Sequence, residues 1–158
     1  MPDIDIMTEA EGWSALPELE ALAVRAAEAA LAGAALPLRP EAGLSLLFTG
    51  DGRMRELNRS WRGKDKATNV LSFPAVPPAR LAAAPFLGDI ALGYETVSRE
   101  AAEQGKPLAH HVTHLVAHGV LHLLGFDHET EEEAARMEGL ERDILAGLGV
   151  PDPYGEDA

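Results

Sequence analysis

The period of the apolar positions changes several times along the chain, and each change predicts an element. Residues 16–33 are rich in Ala and Leu with Glu and Arg between them, which predicts a helix ending near Gly33. Residues 44–49 are apolar and β-favouring, the pattern of a short strand. From 51 to about 61 the period turns helical, with Met54, Leu57 and Trp61 spaced by three and four. Residues 69–73 predict a second strand, stopped by Pro74, and Pro74, Pro77, Pro78 and Pro85 make 74–85 a loop. Residues 87–94 predict a third strand and 96–104 a short helix, broken by Gly105 and Lys106. Pro107 suits the first turn of the next helix, which runs to about Leu124 and stops at Gly125. A last helix starts near Thr130, with Glu133 placed to complete a capping box, and runs to about Leu148.

A few strands interleaved with helices predict an α+β fold with mixed layers, a small mixed β-sheet flanked by helices. With no internal repeat and no long linker, residues 1–158 read as one domain. Apolar residues make up 46%, and although 27 of them are Ala, enough larger side chains remain for a core. There is no Cys, which excludes disulfides, thiolate zinc sites, iron–sulfur clusters and a Cys nucleophile. No apolar run approaches the roughly 18 residues of a membrane span, and residues 1–5 lack a secretory signal pattern. The expectation is a soluble, cytoplasmic protein with no membrane partner.

The formal net charge is −13, a poor default for nucleic-acid binding, and DNA is not expected as a partner. The average hides an asymmetry. Arg53, Arg55, Arg59, Arg62, Lys64 and Lys66 place 6 of the 13 basic residues within 14 positions. Glu129, Glu131, Glu132, Glu133, Glu138, Glu141 and Asp143 make the C-terminal part acidic. Both segments read most simply as solvated helix surface, but the first allows a local positive patch on a negative protein.

All six histidines fall between 110 and 128. On a helix with His118 at 0°, His122 lies near +40° and His114 near −40°, while Val112, Val116, Val120, Leu123 and Leu124 lie between about 120° and 240°. One face is imidazole and the opposite face is core. Two His four apart can bind one metal, and Gly125 lets the chain turn through Phe126 and Asp127 to bring back His128. Three neutral imidazoles with an open fourth position form a catalytic zinc pattern, one Zn²⁺ per chain. His110, His111 and His114 read as supporting or surface groups, with His114 the one most able to substitute in the ligand set.

The spacing His118-x3-His122-x2-Gly125-x2-His128 is that of the metzincin metalloproteases, so this is a metzincin-like zinc-binding helix. Those enzymes place a general-base Glu after the first His, where this chain has Gly119. A zinc site without that Glu is a poor peptidase. Zinc lowers the pKa of its bound water to about 7, which lessens the need for the missing base in other hydrolyses.

Three blocks together resemble the YbeY-type endoribonucleases, bacterial rRNA maturation factors. They are His118-Gly-x-Leu121-His122-Leu123-x-Gly125-x-Asp127-His128, the run from Arg62 through Asn69 to Pro74, and Leu87-Gly88-Asp89-Ile90. The resemblance covers about residues 40–150. It implies a single-strand-specific, metal-dependent endoribonuclease acting in rRNA processing, at the 3′ end of 16S rRNA above all, and in ribosome quality control. It also implies a zinc ion on His118, His122 and His128, a functional role for Arg62, and single-stranded rRNA and the ribosomal particle or its proteins as partners.

The chemistry of Arg62 agrees with this, because a guanidinium grips two phosphate oxygens and stabilises their developing charge. Arg59, Lys64 and Lys66 are candidate contacts to the RNA backbone. Trp61 can stack a base, although a single Trp ending an amphipathic helix is most simply core. Asp65 and Asp89 read as turn or backbone-bonding residues. Asp127 can orient a ligand imidazole or move a proton. Two other readings stay open: a zinc metallopeptidase, and a non-enzymatic ribosome-associated factor with a structural zinc.

Overall fold

The computed structural model describes residues 2–154. Four strands form one sheet: β1 (Asp3–Thr8), β2 (Gly43–Thr49), β3 (Val70–Pro74) and β4 (Phe86–Gly93), in the order β1-β2-β4-β3. β1 and β4 run parallel to β2, and β3 lies antiparallel to β4 at the opposite edge. Five α-helices surround the sheet: α1 (Leu19–Gly33), α2 (Asp51–Arg62), α3 (Tyr94–Glu103), α4 (Leu108–Leu123) and α5 (Glu131–Gly147). This is the mixed α+β architecture that the hydrophobic pattern predicts, with α1 crossing over between β1 and β2.

The strands alternate between two faces, as a period of two requires. Leu44, Leu46 and Phe48 of β2 and Ile90 and Leu92 of β4 point into the main core. Leu47, Ala91, Leu71 and Phe73 point the other way, where Met54 and Leu57 of α2 meet them. The main core is closed by α1 and α4. Ala23, Ala26, Ala27 and Ala30 of α1 are fully buried, and their small side chains let α1 lie close to α4.

α4 is the central helix, packed on β3 and β4 and flanked by α1, α3 and α5. Gly119 faces the sheet. A Cβ there would sit 2.9 Å from Ile90 Cγ2 and 3.2 Å from Ser72 Oγ. Ser72 Oγ donates to the Gly119 carbonyl at 3.0 Å, tying α4 to the edge strand.

Two segments differ from the sequence expectation. The sequence pattern does not predict β1: only Ile4 and Ile6 of its Asp-Ile-Asp-Ile alternation reach the core, too short a signal to stand alone. The proline-rich 74–85 segment is more ordered than a loop. Pro74 closes β3, and Pro78–Ala83 forms a 3₁₀ helix that buries Leu81, with Ala84 buried just after it. Pro74 is tolerated because β3 is an edge strand.

Candidate functional site

The end of α4 is set by its sequence. Gly125 takes φ +92°, with its N–H donating to the His122 carbonyl and that of Phe126 to Leu121. This is a Schellman closure, and it needs a residue that tolerates positive φ. The chain then reverses, and α5 begins behind Thr130, whose hydroxyl accepts from Glu133 N–H while the Glu133 carboxylate accepts from Thr130 N–H. His128 lies in the turn between these two fixed ends.

The turn brings His118, His122 and His128 together. Their rings lie 4.5, 5.2 and 5.9 Å apart between centroids, and one nitrogen from each lies within 4.8 Å of the others. His118 Nε2 and His122 Nε2 are 3.1 Å apart. Nitrogens each about 2.0–2.1 Å from one tetrahedral zinc are about 3.3 Å apart, so the donor set fits a divalent cation. Burial first, then the charges of His118 and His128, push His122 down to about 4, so it is the neutral ligand form at pH 7. His128 is exposed, and the cluster opens to solvent on its side.

Behind the imidazoles stands a residue that, from the sequence, reads as part of the solvated acidic surface. Glu141 of α5 is fully buried. Its Oε1 accepts from His118 Nδ1 at 2.7 Å and from His114 Nε2 at 3.2 Å, and its Oε2 accepts from the Tyr154 hydroxyl at 2.7 Å. Burial raises the Glu141 pKa, but these donors outweigh it and hold the carboxyl at about 2. A carboxylate only accepts here, so the His118 proton sits on Nδ1 and its Nε2 lone pair faces His122. The signal that finds Glu141 is its place in the core stripe of α5, with Met137, Ile144 and Leu145.

The other histidines divide. His114, His118 and Glu141 form a second group of convergent donors. His111 is buried and donates to Glu100 at 2.9 Å; Glu100 also accepts from Asn69. Burial draws His111 below its ordinary pKa against the opposing pull of Glu100. Asp127 Oδ1 accepts from the His128 backbone N–H at 2.7 Å and lies 3.9 Å from its Nδ1, so it holds the turn rather than the ring.

The basic window is not uniform. Arg53 pairs with Glu9 and Glu56, and Arg55 forms a two-pronged bond to Asp65 at 2.7 and 3.0 Å, a side-chain pairing where a turn bond was expected. Among the described residues, Arg59, Arg62, Lys64 and Lys66 have no side-chain partner, and all four are exposed. Gly63, at φ +70°, ends α2 and turns the two lysines back beside it. Trp61 is not core: it is 72% exposed, its ring 6.0 Å from that of Phe73. An amphipathic pattern fixes which side of a helix faces the sheet, and at the last turn of α2 the Trp61 ring lies beside Phe73 of the edge strand with most of its surface in solvent.

Fold and site define an α+β protein with a three-imidazole cluster, braced by a buried carboxylate, that can bind a metal. A family profile described as endoribonuclease YbeY matches residues 7–149. Proteins named endoribonuclease YbeY are 56% identical in Chelativorans sp. (96% of this chain, 92% of that one) and 52% identical in Azorhizobium caulinodans (96% of each). A third, in Rhodopseudomonas palustris, is 53% identical over 99% of this chain and 83% of its own length. The solution structure of a Thermotoga maritima protein shares the fold, with a TM-score of 0.58 at 23% identity over 97% of this chain and 99% of that one. The chain belongs to the YbeY endoribonuclease family, whose members act in rRNA processing. That membership makes it an endoribonuclease acting on RNA and sets aside the peptidase reading.

Proposed function

We propose that residues 1–158 form a single catalytic domain that cleaves single-stranded rRNA with one zinc ion held by His118, His122 and His128. The observation that carries this is the donor set itself: three imidazoles on one point, with the first fixed in its tautomer by buried Glu141. A bound zinc supplies Lewis acidity for polarising a phosphoryl oxygen. Arg62 is the catalytic arginine, its guanidinium, unpaired among the described residues, gripping the non-bridging oxygens of the scissile phosphate. Arg59, Lys64 and Lys66 hold the flanking backbone. Glu141 keeps the proton on His118 Nδ1, and Gly119 leaves no carboxylate next to His118 to act as a peptidase base.

The substrate is the 3′ end of 16S rRNA, and the reaction also serves ribosome quality control in the cytoplasm. A net charge of −13 disfavours naked RNA, so the ribosomal particle or one of its proteins presents the strand. No helix among the described residues is long and apolar enough to cross a membrane. Elemental analysis of the wild type and of His122→Ala tests the site: one zinc per chain, lost in the variant, is expected. Product end groups identify the nucleophile, since a 2′,3′-cyclic phosphate excludes direct attack by water as the first step.

A further inference from the structure

On the α2 side of the sheet, a groove of about 640 Å³ runs beside Arg62 and is lined by Trp61, Leu57, Phe73, Ser45 and Asp89. We infer that this groove binds one unpaired base of the RNA substrate, stacked on Trp61 and Phe73, with its phosphate on Arg62; this rests on the endoribonuclease reading above.

The chemistry along the groove is ordered. At one end Arg62 has no carboxylate partner among the described residues, so its charge is free for a phosphate. Next to it, Trp61 exposes most of a large ring, which water solvates poorly and which Phe73 supports from below at 6.0 Å. Base–aromatic stacking is the general way proteins hold single strands, because every base has a π-face. At the sheet end lies Asp89, whose carboxylate accepts from the Ser45 hydroxyl. A phosphate is repelled there, whereas the N–H edge of a base has an acceptor. A paired base has its face covered by neighbours and its edge occupied, so the groove admits only an unpaired one. The strand that walls the groove also carries α4 on its other face. Ser72 of β3, between Leu71 and Phe73 that face α2, donates from the opposite face of the sheet to the carbonyl of Gly119, the residue after His118.

The two tryptophans make this measurable. Trp13 is buried and Trp61 is exposed, so a quencher arriving on the surface reads Trp61. A 2′-O-methyl single-stranded oligonucleotide is titrated against the protein while tryptophan emission is followed, with a duplex of the same sequence as control. The single strand is expected to quench the emission and the duplex to leave it unchanged. Trp61→Ala is expected to abolish the quenching and to raise KM for single-stranded RNA roughly 5- to 150-fold with kcat little changed, and Trp61→Tyr to retain most of the binding. The inference is overturned if the single strand leaves Trp61 emission unchanged, if Trp61→Ala keeps the wild-type KM, or if only a ribosomal protein and no oligonucleotide perturbs Trp61. Each of these leaves RNA cleavage by the wild type intact, whereas failure of the wild type to cleave any RNA sinks the endoribonuclease reading instead.

Discussion

His118 and Glu141 meet at 2.7 Å across the α4–α5 interface, although the chain separates them by 23 residues. One side chain belongs to the imidazole face of a helix and the other to the core stripe of its neighbour. The contact sets which His118 nitrogen is free. Supporting hydrogen bonds of this kind tune metal affinity by about 10- to 100-fold. Glu141→Gln keeps the size of the side chain and removes its charge. It is expected to weaken zinc binding within that range, measured by competition with a chelating dye. Tyr154→Phe removes one of the three donors to Glu141 and should weaken it less.

Arg62 is exposed, so its loss should leave stability within about 0.5 kcal/mol while lowering kcat about 10²- to 10³-fold. Arg62→Lys retains the charge but not the planar fork, and is expected to restore little. Thermal melts beside single-turnover cleavage check both halves. An Arg62→Ala enzyme that cleaves at the wild-type rate would remove the arginine from the chemistry.

Gly119 explains why a metzincin-like spacing accompanies a different base arrangement. Any side chain there meets Ile90 and Ser72, on the strands that carry α4. Gly119→Glu should therefore destabilise the fold by at least about 3 kcal/mol, from overpacking plus a buried charge. Urea unfolding measures this. The variant should gain no activity on casein.

Most elements were legible from period and punctuation: β2 to β4 and the five α-helices lie within a few residues of where the apolar positions place them. The three imidazoles were legible because helical spacing and one glycine bring them together locally. What could not be read was set by distant packing. Sheet order depends on pairing between strands far apart in sequence. Glu141 reads as one more carboxylate in an acidic helix, and only the packing of α5 against α4 buries it. Trp61 carries a core residue's chemistry, yet its ring lies largely in solvent beside Phe73 of the edge strand.

Acid should unfold the metal-free protein in two stages. His122 is lowered from 6.5 to about 4 in the fold. The unfolded chain therefore takes up that proton first, and stability falls as pH drops from 6.5 toward 4. Glu141 is lowered from 4.5 to about 2, so its stabilisation is present above pH 4.5 and is lost as pH falls toward 2. Denaturant midpoints measured from pH 7 to 2 should decline in both windows. His122→Gln should flatten the upper one, and Glu141→Gln the lower.

Salt dependence separates the paired from the unpaired cations. Within the basic window Arg53 and Arg55 are held by carboxylates, which leaves Arg59, Arg62, Lys64 and Lys66 there to meet phosphate. Each phosphate neutralised on a single strand contributes a slope of about −0.7 in log K against log salt. Four contacts give at most about −3, so binding to a bare rRNA fragment should be weak at physiological salt. Lys64→Ala and Lys66→Ala should each make the slope shallower by about 0.7. A slope much steeper than −3, or tight binding to naked RNA at physiological salt, would mean that cations beyond these four also meet phosphate. The particle would then not be needed to present the strand.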